Sequence, residues 1–304
     1  MSQTRYSPYY YVQIGAVVYV ERHIRFLRGI MLIKKIPAGG ESLPAIGLGT
    51  YKGFDLADTA PHQARLAEVA RRLFAAGGTI LDSSPMYGRA EARTGEALRT
   101  LGKTAGAFLM TKVWTSGREA GIRQMRESLR LLGAERIALM QIHNLVDWRT
   151  HLATVNEWKA AGTFRYIGIT HYTVGAFAEV EAVLRAEPID FLQIPYSIAE
   201  RTAEARLLPL CREKRVAVIA NVPFGSGRLL RAARGKPLPL WAADFGATSW
   251  AQFCLKYLLG HPDCTCVIPG TGDPDHATDF LQAGEGRLPD AAERRRMADA
   301  VAAL

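Results

Sequence analysis

Seven short apolar runs, each preceded by a stretch with helical spacing, constrain the fold of this chain more than any single motif. Leu66, Val69, Ala70 and Leu73 recur on one helical face, and Gly77-Gly78 ends that helix before a strand over Thr79 to Asp82. A helix over Ala90 to Leu101 precedes the strand Ala107 to Lys112, and Ile122, Met125, Leu129 and Leu132 precede Ile137 to His143. The rhythm continues with a helix at Thr150 to Ala161 and a strand at Arg165 to Thr170, then Val174 to Ala186 and Asp190 to Pro195. Ala203 to Lys214 reads as helix before the strand Val216 to Asn221, and the helical face of Trp250, Phe253, Cys254, Tyr257 and Leu258 precedes Thr265 to Ile268. Repeated strand–helix–strand units make a parallel sheet, and an eighth strand closes it into an α/β fold, the (β/α)8 TIM barrel. That strand is expected between Arg228 and Thr248, where the pattern is least clear. A doubly wound dinucleotide fold would carry G-x-G-x-x-G after its first strand, and Gly47-Leu48-Gly49-Thr50-Tyr51-Lys52-Gly53 has the wrong spacing.

Ahead of the alternation, Ile33 to Pro37, a Gly39-Gly40 turn and Leu43 to Thr50 predict a hairpin. Residues 1–30 read differently, as a dispensable extension before a single barrel of residues 31–304 that opens at Met31. The apolar stretch Tyr9 to Val20 falls short of the roughly 20 residues that span a bilayer, and no A-x-A cleavage site follows it. The reading is therefore of a chain that does not enter membranes.

Length and composition, 304 residues with 48% hydrophobic and 22% charged, suit a globular protein with a large core. The net charge of +9 attracts anions without choosing among them. Basic runs at Arg228 to Lys236 and Glu293 to Arg296 lack interleaved aromatics, so nucleic acid is not expected as a partner. Cys211, Cys254, Cys264 and Cys266 form no C-x-x-C pair and read as reduced, buried side chains, which favours a cytoplasmic setting. His143 and His171 are too few for a metal-dependent barrel hydrolase, and no metal is expected.

Three of the predicted strands end on ionisable residues: Asp82, Lys112 and His143. Tyr87 lies in the loop after the first, within Leu81-Asp82-Ser83-Ser84-Pro85-Met86-Tyr87-Gly88. All strand C-termini of a parallel barrel open on one face, so the four converge there. A free tyrosine, with a pKa of about 10, is a weak acid at neutral pH and benefits from a cation beside it. Lys112 supplies that cation, Asp82 holds the lysine, Tyr87 donates the proton and His143 orients a substrate carbonyl. Singly, each has an ordinary role as an ion pair or packing group; jointly they fit proton transfer to a carbonyl oxygen.

The order and context of these residues resemble the aldo-keto reductase superfamily. The resemblance runs from about Met31 to Leu304 and includes the hairpin, Gly47-Leu48-Gly49-Thr50, the Asp82 to Gly88 block, the lysine and histidine strand ends, and Val267-Ile268-Pro269-Gly270-Thr271. It implies an eight-stranded barrel whose bottom is closed by the hairpin. It also implies NAD(P)H-dependent reduction of a small-molecule aldehyde or ketone to an alcohol, with Asp82, Tyr87, Lys112 and His143 as the catalytic tetrad. On the cofactor side it implies contacts from Thr50 and Tyr51, from Thr170-His171 where the family usually has Ser-Asn, and from Gln193. Asn221 stands where an aromatic usually stacks on the nicotinamide. Pro223-Phe224-Gly225-Ser226-Gly227 resembles the loop that wraps the pyrophosphate, its glycines letting backbone amides approach. Pro269, Gly270 and Thr271 open the last segment, where His276 replaces the arginine that grips the 2'-phosphate and Phe280 replaces an adenine-contacting asparagine. NADPH is the expected cofactor, with NADH also admissible and Arg228 available to compensate. Tyr51, Trp114 and Trp148 are the expected substrate-pocket residues. A cofactor-binding sensor or regulatory subunit on the same barrel is the alternative that the altered cofactor residues raise.

Overall fold

The structure is a computed structural model that describes residues 30–304. All but the last residue of the expected 1–30 extension lies outside the described residues. Among them, no helix is long and apolar enough to cross a membrane.

Strands β1 (Ile33–Lys35) and β2 (Ser42–Pro44) form an antiparallel hairpin, with Ile33 opposite Pro44 and Lys35 opposite Ser42. A parallel sheet of eight follows in chain order: β3 (Leu48–Gly49), β4 (Ile80–Asp82), β5 (Phe108–Val113), β6 (Ile137–His143), β7 (Phe164–Thr170), β8 (Phe191–Pro195), β9 (Ala217–Asn221) and β10 (Cys266–Val267). Bridges Ile46–Val267 and Gly49–Gly270 join its two edges. The barrel so formed is the fold expected from the alternation, with the hairpin present.

The eighth strand is not where the sequence pattern placed it. It is β3, at the start of the barrel, whereas Arg228 to Thr248 holds a short helix (Arg228–Ala232) and a 3-10 turn (Leu240–Phe245). The hairpin's last bond runs from the Ala45 amide to the Leu32 carbonyl at 2.8 Å, and the chain then enters the barrel for two residues only, too few for a readable period. The expected helix from Ala203 to Lys214 also divides, into a 3-10 turn (Thr202–Glu204) and a helix (Leu207–Lys214). Pro209 explains the break: in the first turn of the shorter helix its missing N–H is harmless, but inside a longer one it would remove a hydrogen bond.

Among the described residues ten helices surround the sheet: α1 (Ala60–Ala75), α2 (Ala90–Leu101), α3 (Arg118–Leu132), α4 (Trp148–Ala160), α5 (Phe177–Ala186), α6 (Leu207–Lys214), α7 (Arg228–Ala232), α8 (Trp250–Leu259), α9 (Pro274–Gln282) and α10 (Ala291–Ala302). The barrel interior is layered, as alternation along each strand requires. Phe108, Tyr166 and Phe191 pack ring on ring at 5.3 to 6.3 Å near the strand starts. Ile36 and Leu43 of the hairpin join the same cluster with Ile80, Met110, Leu139 and Ile219, plugging that end. Two residues further along the strands the interior turns polar.

Candidate active site

Position Asp82 ends β4, and its register with Met110 sets Lys112 one inward step further along β5. Lys112 pairs in turn with Gln141 on β6. The Lys112 ammonium donates to both Asp82 oxygens at 2.9 Å and to the Ser83 carbonyl at 2.7 Å. Gln141 and Gln193 donate to the same carboxylate, at 3.4 and 3.2 Å. Burial alone would lower the Lys112 pKa, but the Asp82 and Tyr87 groups outweigh it and hold the lysine above its usual range. Lys112 is therefore a permanent cation in a water-poor barrel.

Tyr87 faces that cation, with its ring centroid 4.9 Å from Lys112 Nζ. Burial pushes the phenol above its ordinary range, and the opposing effect of Lys112 does not cancel this. The expectation that Lys112 makes Tyr87 a stronger acid thus holds for the pairwise effect and not for the net shift. His143 meets Tyr87 edge to face at 6.0 Å. Burial, then Lys112 and His171, lower its pKa to about 3, so the imidazole is neutral. Ser84 Oγ lies 3.0 Å from His143 Nδ1. The serine hydroxyl has no other acceptor among the described residues, so it donates to Nδ1 and leaves the proton on Nε2. His143 is then a neutral donor.

Sequence reasoning missed Gln141 and Ser84. Gln141 was visible by period two, since it precedes His143 on the same face of the strand. The strained backbone was not visible. Asn144, Leu145 and Asp147 (φ 53°, 55° and 46°) and Val222 (φ 50°) occupy the left-handed region, which a β-branched residue rarely enters. Asn144 and Val222 directly follow His143 and Asn221, and Leu145 and Asp147 lie in the same turn as Asn144.

Tyr51 and Trp114 stand at the mouth, 52% and 42% exposed. Tyr51 lies 5.0 Å from the Tyr87 ring and Trp114 lies 6.4 Å from the His143 ring. Trp148 is placed differently. It begins α4, packs on the core and carries the Arg149 guanidinium 4.2 Å over its ring, with no aromatic contact to the other site residues among the described ones.

The segments with which the cofactor was associated converge on the same face. Thr50 donates to the Asp82 carbonyl at 2.9 Å and to Ser83 Oγ at 3.0 Å. The loop after β3 packs backbone to backbone on the loop bearing Pro269, Gly270 and Thr271, so closely that a Cβ on Gly272 would lie 2.1 Å from the Gly53 carbonyl. Thr170 and Gln193 are paired residues of β7 and β8 and are buried. His171 accepts from the Thr173 amide at 3.2 Å and stacks on Tyr172. In the Pro223–Gly227 turn, Gly225, Ser226 and Gly227 have φ of 56°, 57° and 81°. Phe224 packs on Phe280 at 5.1 Å, and Phe280 on exposed His276 at 6.1 Å, which ties the turn to α9. Gln141 Oε1, Gln193 Oε1 and Asn221 Oδ1 are buried acceptors without a partner among the described residues.

The Aldo/keto reductase family model matches residues 45–296 of this chain. The chain is 29% identical to the methylglyoxal reductase YeaE of Escherichia coli over 234 residues, 74% of this chain and 80% of that protein. It is 26% identical to the aldo-keto reductase YhdN of Bacillus subtilis over 189 residues, 57% of this chain and 56% of that one. In structure it resembles an aldo-keto reductase from Klebsiella pneumoniae solved with NADPH, with a TM-score of 0.74 at 22% identity over 89% of this chain and 96% of that one. The holo form of AKR11C1 from Bacillus halodurans gives a TM-score of 0.72 at 23% identity, again over 89% of this chain and 96% of the other.

Proposed function

The chain belongs to the aldo/keto reductase family of oxidoreductases, and from that premise we propose that it reduces an aldehyde or ketone to an alcohol, with Tyr87 as the proton donor and NADPH as the preferred cofactor. The observation that carries this reading is the buried Lys112–Asp82 pair set beneath Tyr87 and beside neutral His143. When bound, the nicotinamide supplies a hydride to the carbonyl carbon.

Tyr87 holds the proton that the carbonyl oxygen needs as negative charge develops on it. Its raised pKa keeps that proton in place across the neutral range. Lys112 stabilises the phenolate left behind, and this is where the cation acts most strongly, because the site excludes water. Asp82, held by both glutamines, keeps the ammonium in one position. His143 donates from Nε2 to the substrate oxygen and aligns it with the phenol. Tyr51 and Trp114 bound the pocket that receives the rest of the substrate.

Thr50, Tyr51, Thr170, His171, Gln193, Asn221, the 223–227 turn, Pro269 to Thr271 and His276 line the path on which the cofactor would lie. The sensor alternative has no need of a lysine-supported phenol. Adding NADPH and a reactive aldehyde, methylglyoxal among a panel, tests the reading by loss of reduced nicotinamide absorbance. Tyr87→Phe should lower turnover by about 10²-fold or more while cofactor binding persists. Binding without consumption by the parent protein would move the assignment to the sensor.

A further inference from the structure

Helix α2 begins at Ala90, three residues after Tyr87, and Arg89, the residue before it, makes no capping bond with its side chain. A helix start leaves backbone N–H groups without partners, and the helix dipole favours a carboxylate beside them. Here the acceptor comes from another loop. Asp55 Oδ1 accepts from the Arg89 amide at 3.0 Å, and Arg89 Nε lies 3.5 Å from the same oxygen. The carboxylate also lies over Gly88, so closely that a Cβ there would sit 2.5 Å from Oδ1. Gly88 has a φ of 60°, in the left-handed region that glycine enters freely.

Asp55 is itself anchored. Phe54, the residue before it, is fully buried, and its amide donates to the Thr50 carbonyl at 3.0 Å. Gly53 packs backbone to backbone on Thr271 and Gly272. Tyr87 is tied into its own turn by two bonds: its amide donates to the Ser84 carbonyl at 3.0 Å, and its carbonyl accepts from the Ala90 amide at 3.1 Å. Asp55 thus joins an anchored loop to the turn that carries the phenol.

We infer that Asp55 is a positioning residue for proton transfer. By holding the Arg89 amide it fixes the Gly88 link, and through that link the place of the Tyr87 hydroxyl over Lys112. This rests on the reading of Tyr87 as the proton donor. The carboxylate bonds to no member of the tetrad among the described residues, so it acts only through the turn. Its acceptor oxygen is what the turn uses, and an amide oxygen accepts in the same way. A carboxylate present only to keep the surface charged would leave the turn indifferent to its loss.

Asp55→Ala and Asp55→Asn separate these two roles. The rate of the chemical step is read from a single turnover of bound NADPH with a reactive aldehyde, and the hold on the turn from hydrogen exchange at the Arg89 amide. Asp55→Ala should slow the chemical step by about tenfold, the order expected for a misplaced reacting group, and change the Kd for NADPH by less than about twofold. Exchange at Arg89 should quicken by about tenfold in the same variant, as a lost hydrogen bond predicts. Asp55→Asn should stay within about threefold of the parent in both readouts, because it keeps the acceptor. Far-ultraviolet circular dichroism checks that both variants fold. A parent-like rate or parent-like exchange in Asp55→Ala overturns the proposal. So does an Asp55→Asn variant that loses the rate as fully as Asp55→Ala, since the charge would then be what matters. If the parent oxidises NADPH with no aldehyde of the panel, the proton-donor reading fails and this inference falls with it.

Discussion

Lys112 Nζ and the Asp82 carboxylate lie 2.9 Å apart with side-chain exposures of 1% and 3%. Two opposite charges buried this deeply depend on each other, because either alone would be an uncompensated ion in a medium of low polarity. Lys112→Met should destabilise the protein by ~3–5 kcal/mol and abolish turnover. The double variant Lys112→Met with Asp82→Asn should recover part of the stability and none of the activity. Urea denaturation of the three proteins reads this; an unchanged midpoint for Lys112→Met would show that water reaches the pair.

His143 gives the acid limb of stability a defined sign. Its pKa falls from an ordinary 6.5 to about 3 on folding, because burial and Lys112 oppose a second positive charge. Below pH 6.5 the unfolded chain binds a proton that the folded one does not, so stability is present above that pH and is lost as pH falls towards 3. The residue alone should contribute a slope approaching about 1.4 kcal/mol per pH unit in that window. Denaturation at pH 7, 5.5 and 4.5 should show a shallower loss for His143→Asn than for the parent. Parallel curves would mean that His143 is protonated in the folded state.

Much of this site could be read in the sequence because barrel topology turns strand ends into neighbours. Asp82, Lys112 and His143 each close an apolar run, and period-two alternation then fixes which way they face. The same alternation points to Gln141, whose role becomes evident only once its partner across the barrel is known. β3 escaped because a two-residue strand beside Gly47 has no pattern of its own. The left-handed Leu145 and Val222 left no trace, since neither residue favours the conformation it adopts. Tertiary packing imposes it, and no local signal encodes that packing. The net pKa of Tyr87 depends similarly on burial that a sequence does not show.

Trp114 owes its place over His143 to the backbone around it. Gln124 accepts from the Trp114 amide at 2.6 Å and donates to its carbonyl at 3.1 Å. His151 Nε2 donates to the Thr115 carbonyl at 2.6 Å, and Asp147 accepts from the Gly117 amide at 2.7 Å. Gln124→Ala removes the first clamp without touching the pocket surface. KM for a bulky aromatic aldehyde should rise by about three- to tenfold, the order of one or two lost hydrogen bonds, with cofactor Kd unchanged. A small aliphatic aldehyde should be nearly indifferent. If both substrates respond equally, the loop shapes the reacting centre and not the substrate wall.

Arg228 bears on the choice between NADPH and NADH. The cations next to His276 are already committed: Arg72 pairs with Asp275 at 2.7 Å and Arg65 with Asp273 at 3.6 Å. Asp273 also takes up the Asp275 and His276 amides at the start of α9, which adds negative charge where the extra phosphate would be sought. Arg228 and Arg231 have no carboxylate partner among the described residues and rest on the carbonyls of Gly225 and Ser226, at 3.1 and 3.5 Å. A guanidinium held only by a neutral carbonyl can turn to a phosphate and form a charge-assisted bond. Arg228→Ala should weaken NADPH about five- to tenfold and NADH less than twofold, and rising salt should narrow the gap for the parent but not the variant. Equal losses for the two cofactors would instead place Arg228 on the pyrophosphate that both share.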